Sequence, residues 1–122
     1  GVVPAQIAPY LVERLGISQA RRLAVTGGRI DAKAALALGL VHELHADAEL
    51  DAALQRVLGE ILQIAPQAVA ATTALIAKAR LHSPASLVQE AAEVFSRAAL
   101  GPEGIEGTTA FLQKRKASWV PQ

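Results

Sequence analysis

Five glutamates in this chain stand where a carboxylate could act as a general acid or base: Glu13, Glu90, Glu93, Glu103 and Glu106. Glu13 lies on a helix where exposure is expected. Glu90 and Glu93 are three residues apart, so they share one helix face, which is typical of a solvated surface. Glu103 and Glu106 fall near a helix N-terminus, where negative charge is mildly stabilising. Since each has a structural explanation, we predict no catalytic residue in this chain.

The histidines and serines form no recognisable metal or nucleophile motif. His42 and His45 lie three residues apart near Asp47, with His82 far away along the chain, and they lack the HExxH spacing of a zinc site. No serine has the G-x-S-x-G setting of a hydrolase. The chain has no cysteine, which excludes a thiol nucleophile and suits a reducing compartment. We predict no metal site.

The basic residues give little support to nucleic-acid binding. Arg14, Arg21 and Arg22 lie around a helix–Gly16–helix turn that resembles a DNA-reading helix-turn-helix. However, the net charge of the whole chain is only +1, so no basic stripe is available to follow a phosphate backbone.

The composition predicts a mostly α protein of about seven helices, joined by one or two very short extended links such as 1–4 and Leu40-Val41. Hydrophobic residues make up 52% of the 122 residues but aromatic residues only 3%, so Ala, Leu, Val and Ile dominate. Such an apolar excess in a small chain indicates that part of it is buried against another chain or a missing segment. No apolar run approaches the ~20 residues of a membrane span, and no signal peptide is recognisable.

Glycines, prolines and capping residues predict where the helices begin and end. We expect stops at Gly16, Gly27-Gly28 and Gly39, and breaks at Pro66, Ser83-Pro84 and Gly101-Pro102. We expect N-caps at Ser18, Asp31 and Asp47, and a last helix over 103–116. Two helices have a clear apolar face. In the helix after Asp47 this face comprises Leu50, Leu54, Val57, Leu58, Ile61, Leu62 and Ala65; in the helix after Pro84 it comprises Leu87, Val88, Ala91, Val94, Phe95 and Ala98.

Three motifs in order resemble the enoyl-CoA hydratase/isomerase (crotonase) superfamily. The first is G-x-x-P at 1–4, followed by a helix containing Ala20 to Leu23. The second is the T-G, R-I-D-A and G-L-V series that runs from 24 to 41. The third is the E-G-x-x-A-F-x-x-K-R-K finish at 106–116. Together they cover essentially the whole chain, and the G-V-V-P-A-Q opening looks nearest the methylglutaconyl/isohexenylglutaconyl-CoA hydratase type.

The resemblance implies a fold and an activity. The chain would be the helical C-terminal region of a crotonase fold, a single region over 1–122 without the family's N-terminal βα core. The family's hydratases add water to an α,β-unsaturated acyl-CoA with two glutamates and two backbone N–H groups. These groups would all precede Gly1, so this chain would be inactive alone. The resemblance leaves hydratase, isomerase and other crotonase reactions open.

Three residues match positions that contact the substrate in the family, which uses a coenzyme A thioester and needs no further cofactor. Lys114 matches a residue that reaches a CoA phosphate, and Phe111 matches one near the adenine end. Lys114 to Lys116 could equally be the solvated, cationic end of a helix. Phe95 matches a residue of the acyl pocket, but it could also belong to the core.

The resemblance further implies a homo-oligomer, a trimer or hexamer, with acyl-CoA as the small-molecule partner. We expect a cytoplasmic (bacterial) or organelle-matrix protein without membrane attachment. Two alternatives remain. One is a stand-alone helical self-association module without catalysis, and the other is an RNA-binding relative that uses Arg14, Arg21, Arg22 and the Lys114 cluster.

Overall fold

The computed structural model describes residues 1–121 and contains six α-helices. They are α1 (Ala8–Thr26), α2 (Ala32–Ala37), α3 (Leu50–Ile61), α4 (Pro66–Ala79), α5 (Pro84–Leu100) and α6 (Pro102–Leu112), with a short 3-10 turn at Asp47–Glu49. The mostly α prediction is confirmed. The count is six rather than seven because the two helices predicted on either side of Gly16 are counted together as α1, which is kinked at the non-helical Gly16. The predicted extended links form no strand within residues 1–121.

The first compact unit comprises residues 1–50. Gly27 ends α1 in the left-handed conformation, with φ of 62°. The Asp31 carboxylate caps α2 by accepting a 2.7 Å hydrogen bond from the Ala34 N–H. The Arg14 Nε donates to the carbonyl of Leu40 at 3.3 Å, which ties α1 to the segment after α2. The unit buries two small residues, Ala20 and Ala35, so its core is thin.

Two predicted caps in this part of the chain are wrong. Ser18 lies inside α1, because the break occurs two residues earlier at Gly16, where φ is 72°. Asp47 does not cap α3 but begins the 3-10 turn, and its carbonyl accepts the N–H of Leu50. The segment at Leu40-Val41 is also not a buried extended piece, since Val41 is 37% exposed and follows the left-handed Gly39.

The second compact unit comprises residues 51 onwards, and prolines determine its helix starts. Pro66, Pro84 and Pro102 all lie in the first turn of their helices, where a missing N–H costs nothing. The break predicted at Ser83-Pro84 is present, and Ser83 also caps α5 by accepting from the Ser86 N–H at 3.3 Å, a cap that was not among those predicted. The α5 and α6 helices meet at Gly104, where an added Cβ would lie 2.2 Å from the Ala98 carbonyl oxygen.

The chain after α6 packs back onto the second unit. The Trp119 indole N–H donates to the carbonyl of Gln63 at 3.1 Å. Its ring lies over Gly107, where an added Cβ would be 3.1 Å away. Val120, Ala110 and Ala65 are buried in this unit.

The predicted apolar faces exist but are not buried. On the α3 face, Leu54 is 53% exposed and only Ala65, beyond the helix end, is buried. On the α5 face, Val88 and Phe95 are 64% and 74% exposed. The expectation that these residues point into a core within the chain is therefore wrong for α3, whose apolar residues are exposed. It holds only in part for α5, where Leu87, Ala91 and Val94 are half-buried on a helix that α4 and α6 contact.

No single helix among the described residues is long and apolar enough to span a membrane. The pair Asp47–Ile61 and Pro66–Ala79 reaches the required length and hydropathy only together, across a bend of 99°.

The close approach of α5 and α6 at Gly104 can be tested by substitution. We expect Gly104→Ala to lower the free energy of unfolding by about 1–3 kcal/mol, because overpacking against a backbone carbonyl outweighs the better helix propensity of alanine. The matched control is Gly59→Ala in α3, where an added Cβ meets nothing within 4 Å. That control should be neutral or stabilising by up to about 1 kcal/mol. Urea unfolding followed by circular dichroism measures both, and equal effects would contradict the close approach of α5 and α6.

Candidate functional site

The end of α6 is a Schellman motif with a lysine in the position that glycine usually occupies. The N–H of Lys114 donates to the Phe111 carbonyl at 3.1 Å, and the N–H of Arg115 donates to the Ala110 carbonyl at 3.0 Å. Lys114 has φ of 53°, the one positive φ of a non-glycine residue between residues 1 and 121. The motif stops the helix at Leu112, four residues before the predicted end.

An ion pair anchors the segment that follows the helix. The Arg115 guanidinium donates two hydrogen bonds to the Glu106 carboxylate, at 2.7 and 2.9 Å. The backbone N–H of Ser118 donates to the same carboxylate at 2.8 Å. Such a bidentate pair fixes both distance and orientation. The segment 115–118 is therefore held against the middle of α6.

The same contacts shift the ionisation of both groups. The hydrogen bonds from the Arg115 guanidinium, and then that from the Ser118 N–H, lower the pKa of Glu106 from 4.5 to about 2. The carboxylate in turn raises the pKa of Arg115. Glu106 is therefore ionised throughout the physiological range.

The three consecutive cations have different environments. Arg115 is neutralised by Glu106, and the Lys116 ammonium donates to the Pro121 carbonyl at 3.4 Å. The Lys114 ammonium makes no ion pair or hydrogen bond with any residue that the structure describes. Phe111, which is 82% exposed, begins the same turn. An exposed ammonium and an exposed ring three residues apart could contact an anion and an aromatic base.

A half-open groove of about 840 Å³ lies between α4, α5 and the start of α6. Its apolar wall includes Ala71, Leu75, Val94 and the predicted pocket residue Phe95. Its polar rim comprises Lys78, Glu90, Arg97 and Glu103. Phe111 and Lys114 do not line it, so the structure brings those two together at one helix end and places Phe95 separately.

The glutamates considered above hold structural positions in the second unit. Glu103 accepts the N–H groups of Gln67 and Ala68, at 3.0 and 3.3 Å, and so caps the N-terminus of α4. Glu90 pairs with Lys78, and Glu93 accepts from the Gln89 side chain at 2.8 Å.

In the first unit, two contacts involve histidine side chains. Glu13 lines a second cavity, of about 770 Å³, beside Arg14 and His42. Arg14 Nη2 lies 3.1 Å from His42 Nε2, and His45 Nε2 lies 2.7 Å from Glu43. Within residues 1–121, no three His, Cys, Asp or Glu side chains come together as they would around a metal ion.

Sequence reasoning missed the partners of Glu106 and Glu103. Arg115 is nine residues from Glu106, a spacing that no helix brings together, and it depends on the turn at Lys114. Glu103 lies 36 residues from Gln67. The only signal for the first contact was that Glu106 and Arg115 lie within the same terminal motif, and no pattern in the sequence indicated the second.

Comparison with known proteins identifies the family. The sequence model of the enoyl-CoA hydratase/isomerase family matches residues 1–122. The chain belongs to the enoyl-CoA hydratase/isomerase family. The family prediction, made from three motifs, is thus confirmed. A search of curated proteins gave no match.

Solved structures of this family share the fold. An enoyl-CoA hydratase/isomerase from Marinobacter aquaeolei is 48% identical with a TM-score of 0.92, and AtuE from Pseudomonas aeruginosa is 48% identical with a TM-score of 0.94. An enoyl-CoA hydratase from Shewanella pealeana is 33% identical with a TM-score of 0.86. Each alignment covers 98–99% of this chain but only 44–47% of the relative. The chain is thus a helical region of the crotonase fold and spans about half of these relatives.

The Glu106 ion pair predicts a specific dependence of stability on pH. Because the folded state lowers the pKa of Glu106, its stabilising contribution is full above pH 4.5 and is lost as the pH falls towards about 2. Glu106→Gln should therefore lower the melting temperature near neutral pH and reduce the loss of stability across that acid range. Glu60→Gln, which breaks the exposed Arg56–Glu60 pair, should change little. A wild-type acid profile identical to that of Glu106→Gln would contradict the pair.

Proposed function

We propose that this chain is the helical portion of an enoyl-CoA hydratase-type enzyme, in which it covers the acyl-CoA site and mediates subunit contacts. The family membership supports the general activity. The proposed reaction is hydration of an α,β-unsaturated acyl-CoA, and the opening motif favours a substrate of the methylglutaconyl type. The catalytic acids would lie in another part of the protein, so the chain alone would not catalyse hydration.

The observation that carries the proposal is the large exposed surface. The chain exposes 9,838 Å², whereas a compact monomer of 12.7 kDa would expose about 6,200 Å². Even two separate globules of 50 and 72 residues would expose only about 7,500 Å². The excess of more than about 2,000 Å² reaches the size range of obligate interfaces. A covering partner explains it, either the rest of an enzyme or further subunits.

The exposed side chains are of the kind that such contacts need. Leu54, Leu58 and Ile61 form an apolar face on α3, and each is 42–53% exposed. Large apolar patches of this kind mark interaction sites in soluble proteins. We propose that α3 contacts another subunit in a trimer or hexamer, which would account for the apolar excess of the sequence.

We propose substrate contacts at two places in the second unit, the C-terminal end of α6 and the groove that Phe95 lines. Lys114, a compact and unpaired cation, would bind a phosphate of CoA, and the exposed ring of Phe111 would lie near its adenine. Phe95, on the wall of the groove in the second unit, would contact the acyl group. None of these side chains moves a proton, so their proposed role is binding and orientation.

The large exposed surface also supports one alternative function. A stand-alone self-association module would also need its apolar faces covered, but it would bind no acyl-CoA. The RNA-binding alternative is weakened at Arg14, which is already engaged by Leu40 and His42, but the exposed Lys114 would suit an RNA phosphate as well as a CoA phosphate.

Hydratase kinetics with crotonyl-CoA and with 3-methylglutaconyl-CoA test the proposal on the intact protein that contains this sequence. We expect Lys114→Gly to raise KM about tenfold with little change in kcat, because a charged hydrogen bond to the coenzyme is lost in ground and transition states alike. Glycine suits the left-handed backbone at this position, so the turn should persist. Lys33→Ala is the matched control and should leave both constants unchanged. Absence of any turnover in the wild-type intact protein would contradict the hydratase proposal.

A further inference from the structure

Lys114 occupies a backbone position that is unfavourable for its own side chain. A Schellman motif normally has glycine at this place, because an L-residue with positive φ brings its Cβ close to the backbone. Lys114 nevertheless has φ of 53°. A strained residue of this kind is maintained only where the surrounding structure determines it, and such residues cluster at binding sites. The next residue, Arg115, makes contacts that can maintain this conformation.

The Glu106–Arg115 pair holds both ends of this turn. Glu106 lies within α6, about two turns before its end, and Arg115 directly follows Lys114. Two side-chain hydrogen bonds between them, and a third from Ser118, close a loop that contains Lys114. The loop cannot extend while these bonds persist. Together with the two backbone hydrogen bonds of the Schellman motif, these contacts hold the Lys114 backbone in its left-handed conformation, and none of them engages the Lys114 side chain.

The pair also changes which cation is available to a ligand. The Arg115 charge is compensated by the Glu106 carboxylate, whereas the Lys114 ammonium is unpaired among the residues that the structure describes. The last turn of a helix has a negative dipole end, which disfavours an anion unless a cation is directed beyond it. Of the three consecutive cations, Arg115 is paired with Glu106 and Lys116 donates to the Pro121 carbonyl, so Lys114 is the one without either kind of contact among the described residues.

We propose that Glu106 and Arg115 are positioning residues, which fix the turn so that Lys114 is pre-organised to bind a phosphate of the coenzyme. This inference rests on the proposed role of Lys114 in CoA binding. Neither Glu106 nor Arg115 contacts the ligand in this account. Their effect is to remove the conformational cost of ordering Lys114 when the phosphate binds.

Calorimetric titration of the intact protein with CoA, and with pantetheine as a probe that lacks the nucleotide and its phosphates, tests the proposal. Lys114→Gly should weaken CoA binding about tenfold or more. Glu106→Gln should weaken it about three- to tenfold, the cost of ordering one long side chain. Neither variant should change pantetheine binding by more than about twofold. Glu60→Gln, which removes an exposed ion pair elsewhere, should leave both ligands unaffected.

The double variant separates positioning from a general structural effect. If Glu106 acts only through Lys114, then Glu106→Gln in the Lys114→Gly background should weaken CoA binding no further. Additive losses, or an equal loss of pantetheine binding in Glu106→Gln, would overturn the positioning role. If Lys114→Gly has no effect on CoA binding, both the proposed binding role and this inference fail. If Lys114→Gly weakens binding and Glu106→Gln does not, the inference alone fails.

A conservative variant keeps the test decisive if Glu106→Gln does not fold. Arg115→Lys retains the charge but loses the two parallel hydrogen bonds, so CoA binding should fall by an intermediate factor. Fluorescence of Trp119, recorded in an intact protein from which any tryptophan outside this sequence has been replaced, reports whether the segment after the turn remains in place. Full CoA affinity in a folded Arg115→Lys protein would also overturn the proposal.

Discussion

The helices of this chain carry more apolar surface than they can bury against one another. The buried residues of the described chain are four alanines and Val120, and none of the large aliphatic side chains of α3 is among them. Hydrophobic burial is the main driving force for folding, so helices with an uncovered apolar face need a partner for full stability. The alignment with related structures and the proposed function both agree with this constraint. The chain aligns with only about half the length of each related structure, and its proposed role is in assembly.

Polar contacts, rather than a large core, organise the second unit. The α6 helix contacts each neighbour through a different residue. Glu103 caps α4, Gly104 allows close packing against α5, and Glu106 holds the chain that follows. Gly107 leaves space for the ring of Trp119. Four residues within five positions therefore fix the helix on several sides, and two of them, Glu106 and Gly107, begin the terminal motif that resembles the family.

The sequence predicted the helix boundaries well wherever a backbone effect is local. Pro66 and Pro84 begin helices because of their fixed φ, and Gly27 ends one with a positive φ. The last helix was predicted four residues too long, because a lysine gives no local signal for a left-handed turn. The apolar faces were located correctly from periodicity, but periodicity cannot say what covers them. In the same way, the terminal motif indicated Phe111 and Lys114 as candidate binding residues. It did not indicate the Glu106–Arg115 pair, because that pair forms only when the chain turns at Lys114.

Sedimentation velocity of the intact protein tests most directly whether the uncovered helices make subunit contacts. Leu54→Asp places a charge on the apolar face of α3, whereas Gln55→Asp adds the same charge at the neighbouring position outside that face. If another subunit covers α3, Leu54→Asp should shift the protein to smaller species while Gln55→Asp sediments like the wild type. An unchanged assembly in a folded Leu54→Asp protein, or a wild-type protein that is monomeric, would contradict the account.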